Sequence, residues 1–256
     1  NVCGWPNPNG TLGNHSYDGS GTCTSCGFTP VAKDTADNLY DDIKEAIKSG
    51  ATELWLVSEA TGASQNILQK SLEIDESVNL TLHMNGVKLE GTVGSPALTV
   101  SGGTLTVQGE ADLVSQNIIA SSENPAPAVS VTSGSLVFED AVTATGSKSS
   151  SAVASAIEVS GGTVTFGNTV DATAPEIDVC GTIDNYPIAS AIEVSGGTVT
   201  FMGNVKATGG YNSSGLRSED KQVPAIKATG GTLDFQAGLA LNGGLYLAKA
   251  DILKNK

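Results

Sequence analysis

The chain is short of aromatic and of basic side chains. Aromatic residues make up 5% of its 256 positions and charged residues 16%, and 13 Lys and Arg stand against 27 Asp and Glu, for a formal net charge of −14. An acidic surface repels phosphate backbones, so we expect no binding to nucleic acid. No apolar stretch approaches the roughly 20 residues of a membrane-spanning helix, so we expect no membrane insertion.

Cysteine is also scarce, and three of the four cysteines lie in residues 1–30 with one of the two histidines. Thiolate and imidazole are the usual ligands of tetrahedral structural zinc. Residues 1–30 are therefore predicted to form a Cys/His zinc-binding-type module with a structural zinc ion. A disulfide framework is the alternative that the sequence leaves open. The predicted ligands are Cys3, His15, Cys23 and Cys26.

Glycine, by contrast, is abundant, with 31 residues, and it marks a repeat. A pattern of 19 residues such as "AIEVSGGTVTFGNTVDATA" recurs five times, with three short alternating apolar stretches in each copy. A unit of this size cannot bury its apolar face alone, so it must stack on the next copy as a coil of a parallel β-solenoid. The repeat bodies are 97–115, 128–146, 156–174, 191–209 and 225–243.

Aligned columns of the repeat predict which side chains face inward. One inward column contains four phenylalanines, which are expected to stack in the core. An outward column contains Glu158 and Glu193, which would lie about 5 Å apart on adjacent coils, a separation that suits retaining glycoside hydrolysis. The simpler interpretation is that Glu193 pairs with Lys227 and that the open sheet face leaves both carboxylates solvated.

Ahead of the repeat, the sequence predicts one helix over residues 35–49, because its apolar residues follow helical spacing. Three residues are candidates for its N-cap, and Gly50 suits the left-handed position after its end. The helix is expected to cover one open end of the solenoid. Less regular coils follow over 51–91, where His83 is predicted to be a surface histidine without a role. The N-cap candidates are Asp34, Thr35 and Asp37.

Four inserts separate the bodies, all at the same corner of the predicted coil. Loops on one edge of a solenoid either form a binding surface or are tolerated surface loops, and both interpretations stay open. Amphipathic side chains in the inserts, Tyr186, Tyr211 and Arg217, are candidate anchors for a ligand. Cys180 is predicted to be a small half-buried hydrophobic residue. The inserts are 116–127, 147–155, 175–190 and 210–224.

Two segments resemble known surface proteins. "NHSYDGSGTCTSCGF" resembles a small Cys/His module of large cell-surface proteins of Gram-positive bacteria, with His15, Cys23 and Cys26 in the matching positions. The helix, "LTLHMNGVKLEG" and the repeated "AIEVSGGTVTF" resemble right-handed parallel β-helix (pectin-lyase-like) segments of Firmicute surface proteins, over about residues 31–256. The resemblance implies an all-β, right-handed parallel β-helix in a secreted or cell-surface protein.

From these features we expect a fragment of a secreted or wall-attached bacterial protein that acts as a rigid spacer or adhesin-like module. Its ligand would be a glycan or a host or bacterial surface protein, and the chain would be a monomer. The alternative is a carbohydrate-active enzyme, a polysaccharide lyase or glycoside hydrolase, using Glu158 and Glu193. Enzymes of the resembling fold tend to carry clustered Asp beside Arg or Lys, and the repeats lack such a cluster.

Overall fold

Three β-sheets wind around a single apolar core in the computed structural model, which describes residues 30–57, 67–75, 78–117, 124–149, 152–176, 188–210, 223–249 and 252–254. The elements in chain order are β1 (Ala32–Asp34), β2 (Leu39–Tyr40), α1 (Ile43–Lys48), β3 (Glu53–Leu56), β4 (Ile67–Gln69), β5 (Leu72–Ile74), β6 (Asn79–His83), β7 (Lys88–Glu90), β8 (Leu98–Val100), β9 (Thr104–Gln108), β10 (Ala111–Val114), β11 (Val129–Val131), β12 (Ser135–Phe138), β13 (Val142–Thr145), β14 (Ile157–Val159), β15 (Thr163–Phe166), β16 (Val170–Thr173), β17 (Ile192–Val194), β18 (Thr198–Phe201), β19 (Val205–Thr208), β20 (Ile226–Ala228), β21 (Thr232–Phe235), β22 (Leu239–Asn242), β23 (Leu245–Leu247) and β24 (Leu253–Lys254).

The chain visits the three sheets in a fixed order, which is the path of a solenoid. Sheet 1 has the order β2-β1-β3-β6-β9-β12-β15-β18-β21-β24, sheet 2 the order β4-β7-β10-β13-β16-β19-β22, and sheet 3 the order β5-β8-β11-β14-β17-β20-β23. From β3 onward every pair of neighbouring strands is parallel. The prediction of an all-β parallel solenoid is confirmed.

Each repeat body supplies one strand to sheet 3, one to sheet 1 and one to sheet 2. The columns of the sequence alignment are also columns of the structure, because Ile157 pairs in register with Ile192, and Val164 with Val199. Inward positions are buried and alternate with partly exposed ones, as the two-residue period of a strand requires.

The four phenylalanines form the expected stack in the core. Neighbouring ring centroids of Phe138, Phe166, Phe201 and Phe235 lie 5.4, 5.1 and 4.9 Å apart, with the planes within 5° of parallel. The first three rings are at most 1% exposed. Parallel register makes this stack, because each ring belongs to the same position of successive coils.

The corner between sheets 3 and 1 depends on its paired glycines. Gly162 has φ of +73°, and a Cβ there would lie 2.5 Å from the carbonyl oxygen of Gly134 on the preceding coil. A Cβ on Gly161 would lie 2.3 Å from the carbonyl oxygen of Thr132. Successive corners therefore stack backbone on backbone at a distance where a Cβ on these glycines would collide, and in the second repeat body Ser133 stands at the first position of the pair.

The helix is shorter than the predicted 35–49, since α1 covers six residues and β1 and β2 occupy the preceding segment. The carboxylate of Asp34 accepts the backbone N–H groups of Ala36 and Asn38, and Asp37 has φ of +61°. These contacts close a turn between two antiparallel strands in place of a first helical turn.

The predicted N-caps are accordingly wrong, and the cap is Asp42, whose carboxylate accepts the N–H of Lys44 at 2.8 Å. None of Asp34, Thr35 and Asp37 begins the helix, because all three belong to the turn between β1 and β2. Gly50 does adopt the left-handed conformation, with φ of +92°. Ile43 and Ala46 are buried in the core of the solenoid.

Candidate functional site

The two candidate catalytic carboxylates lie on the outer face of sheet 3. Glu158 in β14 and Glu193 in β17 are in-register partners on adjacent coils. Ser130 precedes them and Lys227 follows them in the same column. Neighbouring parallel strands lie about 4.8 Å apart, so the two side chains share one small area of the surface.

The environments of the two carboxyl groups differ. Lys227 places its Nζ 3.4 Å from Oε1 of Glu193, as the sequence predicts. Partial burial raises the pKa of Glu158, and the negative charge of Glu193 raises it further, against a smaller lowering by Lys227. The expectation that the open face solvates both groups is wrong for Glu158, because its side chain is partly buried between the neighbouring coils.

Two carboxyl groups in such different environments can take different chemical roles. A carboxyl group with a raised pKa can hold a proton, and here its neighbour is paired with a lysine. Two carboxylates divided in this way can serve as acid and nucleophile in glycoside hydrolysis. They can equally be a charged column on a sheet that carries no chemistry, since cross-strand ion pairs are common on exposed faces.

A second cluster on sheet 1 was missed from the sequence. The ring of His83 stacks on Trp55 with centroids 4.4 Å apart and planes within 2° of parallel. Its Nε2 lies 2.8 Å from Oε1 of Glu53. No carboxylate stands near His83 in sequence, but β3 and β6 are adjacent coils, and their register brings the three side chains together. In the sequence, a comparison of "ELWLV" with "LTLHM" as strands of neighbouring coils indicates this cluster.

A shallow groove of about 550 Å³ crosses the outer face of sheet 2 over β13, β16, β19 and β22. Its polar lining includes Lys206, whose Nζ lies 2.6 Å from Oδ2 of Asp171. The amide oxygen of Asn204 accepts the N–H of Gly238 at 2.9 Å. These polar groups could hydrogen-bond a polar ligand.

The remaining predicted site residues lie outside the described residues. Within the part of the chain that the structure describes, no group of three or more His, Cys, Asp and Glu side chains is placed to hold a metal ion. No described helix is long and apolar enough to cross a membrane. The residues outside are Cys3, His15, Cys23, Cys26, Cys180, Tyr186, Tyr211 and Arg217.

Comparison of the chain with protein-family models, with curated proteins and with solved structures found no match.

Proposed function

We propose that the chain is a non-catalytic module of a secreted or wall-attached bacterial surface protein, a rigid support that displays binding loops to a glycan or to a host or bacterial surface protein. One observation carries the proposal. The core repeats in strict register, whereas each of the four inserts leaves the solenoid at the corner between sheet 2 and sheet 3.

The stems of neighbouring inserts are fastened to each other. The hydroxyl of the buried Ser147 donates to the carbonyl oxygen of Ala126 at 2.9 Å and accepts the N–H of the same residue at 2.7 Å. Further along, the N–H of Gly210 donates to the carbonyl oxygen of Ala189 at 2.9 Å. Stems held in this way leave the solenoid in a row along its axis, which favours a binding surface over tolerated loops.

Two further parts of the proposal concern the N-terminal part of the chain. The segment from β1 to α1 serves as an N-terminal cap on a right-handed solenoid. Cys3, His15, Cys23 and Cys26 have the donor atoms that structural zinc prefers, and they would hold one zinc ion. Metal analysis of the purified chain should give one zinc per molecule, and Cys23→Ser should remove it; no zinc in either protein would contradict this part.

Binding to arrayed glycans and to extracellular matrix proteins tests the main proposal. The triple variant Tyr186→Ala, Tyr211→Ala, Arg217→Ala should lose at least tenfold in affinity, because it removes the amphipathic anchors of two inserts. Thr163→Ala, an exposed position in the strand β15, is the matched control and should bind as the unaltered chain does. Absence of binding by the unaltered chain, or binding that the triple variant retains, would contradict the loop surface.

A carbohydrate-active enzyme is the second candidate, and the raised pKa of Glu158 beside the lysine-paired Glu193 is the observation that favours it. In such an enzyme Glu158 would donate the proton and Glu193 would act as the anion. Either Glu158→Gln or Glu193→Gln would abolish its turnover. A binding module would lose nothing essential by these substitutions.

A further inference from the structure

The outer face of sheet 1 lacks charge over four successive coils. In β9, β12, β15 and β18, two outward positions of each strand stand in register with those of the next strand, and none of these side chains is charged. Most of them are threonine. We call this surface the threonine face. Its residues are Thr104, Thr106, Ser135, Val137, Thr163, Thr165, Thr198 and Thr200.

Strand propensity explains the threonines but not the missing charge. Threonine is favoured in strands, and sheet 2 also has outward threonines in β13 and β16. On sheet 2, however, the outward residues Lys206 and Asp171 form an ion pair. On sheet 3 the outward residues Glu193 and Lys227 form another. In a chain with a net charge of −14, an uncharged face of four strands is suited to an uncharged partner.

Charged side chains return at the borders of the threonine face. Glu139 follows β12 at the corner towards sheet 2, where its Oε2 accepts a hydrogen bond from Nε2 of Gln108 at 2.9 Å. Asp234 in β21 is the in-register partner of Thr200 on the next coil. The uncharged area therefore has definite limits and is centred on β12 and β15.

Sheet 1 is also nearly flat. Neighbouring strands of a sheet are normally rotated against each other by about 20–25°. The phenylalanine rings on the inner side of β12, β15, β18 and β21 stay within 5° of parallel from coil to coil. The rings of Trp55 and His83, on the outer side of β3 and β6, lie within 2° of parallel. Because each ring belongs to the equivalent position of the next strand, successive strands are rotated little, and the outward side chains lie close to one plane.

The threonine face is consequently a regular two-dimensional array. Strands of successive coils lie about 4.8 Å apart, and alternate residues along one strand lie about 6.8 Å apart. Each threonine contributes a hydroxyl group, which donates and accepts hydrogen bonds, and a methyl group, around which water orders without bonding to it. The oxygen atoms on a prism face of hexagonal ice repeat in two perpendicular directions at distances close to these two spacings.

We propose that the threonine face binds ice. Its rows of hydroxyl and methyl groups hold a layer of water at positions that match the crystal, and this layer joins the protein to the ice. A charged side chain would orient water around itself and break the match. A polysaccharide surface fits the face less well, because stacking on sugar rings needs aromatic side chains and none of the eight residues is aromatic. This inference does not depend on the inserts of the proposed function.

Ice growth in the presence of the full chain tests the proposal. Thr165→Tyr places a bulky ring in the middle of the threonine face and lifts it from the lattice. Thr173→Tyr, in the next strand of the same coil but on sheet 2, is the matched control, since both positions are outward and partly exposed. Tyrosine is favoured in strands, so both variants should fold, and their urea midpoints verify this. The readouts are thermal hysteresis and the protein concentration that halves ice recrystallisation in frozen sucrose solution.

We expect the unaltered chain and Thr173→Tyr to inhibit recrystallisation at the same concentration, and Thr165→Tyr to need at least ten times more. Thr200→Lys adds a charge to the face and should weaken inhibition in the same way, with Thr208→Lys on sheet 2 of the same coil as its control. No inhibition by the unaltered chain, inhibition that both face variants retain, or equal losses in face and control variants would overturn the proposal.

Discussion

Truncation of Phe166 to Ala should be among the most damaging single changes in the solenoid. The ring is fully buried and stacks on Phe138 at 5.4 Å and on Phe201 at 5.1 Å. Burying about 200 Å² of phenylalanine surface at about 25 cal/mol per Å² contributes about 5 kcal/mol. Measured losses for such truncations are about 3–5 kcal/mol, and the stacked coils on both sides restrict collapse of the cavity.

Phe235→Ala is the internal control for this magnitude. Phe235 belongs to the same column but, among the described residues, stacks on one ring only, at 4.9 Å, and it lies partly exposed in the last repeat body. Its truncation leaves a space that water can reach, so we expect a loss of about half that of Phe166 or less.

Urea denaturation followed by far-UV circular dichroism measures both variants, with amide exchange showing whether the array still unfolds as one unit. If Phe166→Ala lowers the free energy of unfolding by less than about 1 kcal/mol, no cavity has formed in the core and the continuous stack is refuted. Equal losses for the two variants would refute the argument that a ring buried between two others is costlier to remove than a partly exposed ring beside one.

Three further changes test the corner, the carboxyl column and the helix cap. Gly162→Ala should lower the urea midpoint more than Gly50→Ala, because both glycines have positive φ but only at Gly162 would the Cβ meet a neighbouring backbone. Burial raises the pKa of Glu158 in the folded chain above its ordinary value of about 4.3. The stability that Glu158 contributes is therefore fully present below pH 4.3 or so and is lost as the pH rises through its raised, folded-state pKa. Glu158→Gln should accordingly match the unaltered chain in urea midpoint at pH 4 and exceed it at pH 7. Asp42→Ala should cost about 0.5–2 kcal/mol of unfolding free energy through loss of the N-cap, measured by the same denaturation.

Sequence periodicity was sufficient to predict the parallel coil. The alternation of apolar residues within each body predicts which side chains face the core. The five bodies align without gaps, which predicts the register between neighbouring coils, and the phenylalanine stack follows from that register. Glycine marks the repeat in the sequence, and the structure shows that its glycine pair forms a corner where an added Cβ would collide with the neighbouring coil. Repetition makes these features predictable because the same local pattern must satisfy the same neighbours in every coil.

Features that depend on contacts between non-equivalent segments were not predictable. The helix was placed too early because helical spacing from Leu39 outweighed the hydrogen bonds of the Asp34 side chain, which close a turn instead. The pairing of His83 with Glu53 depends on the register of irregular coils, which lie outside the 19-residue repeat, so only a comparison of "ELWLV" with "LTLHM" points to it. The raised pKa of Glu158 depends on partial burial, and alternation alone does not report how deeply an outward side chain is covered.

The most direct test of the proposed non-catalytic function is an assay for product release. The intact chain and the Glu158→Gln, Glu193→Gln variant are incubated with a panel of mucin glycans and plant polysaccharides, and new reducing ends and unsaturated products are measured. The binding-module account predicts no release by either protein. Release by the intact chain that the variant abolishes would contradict it and would make the carboxylate column of sheet 3 an active site.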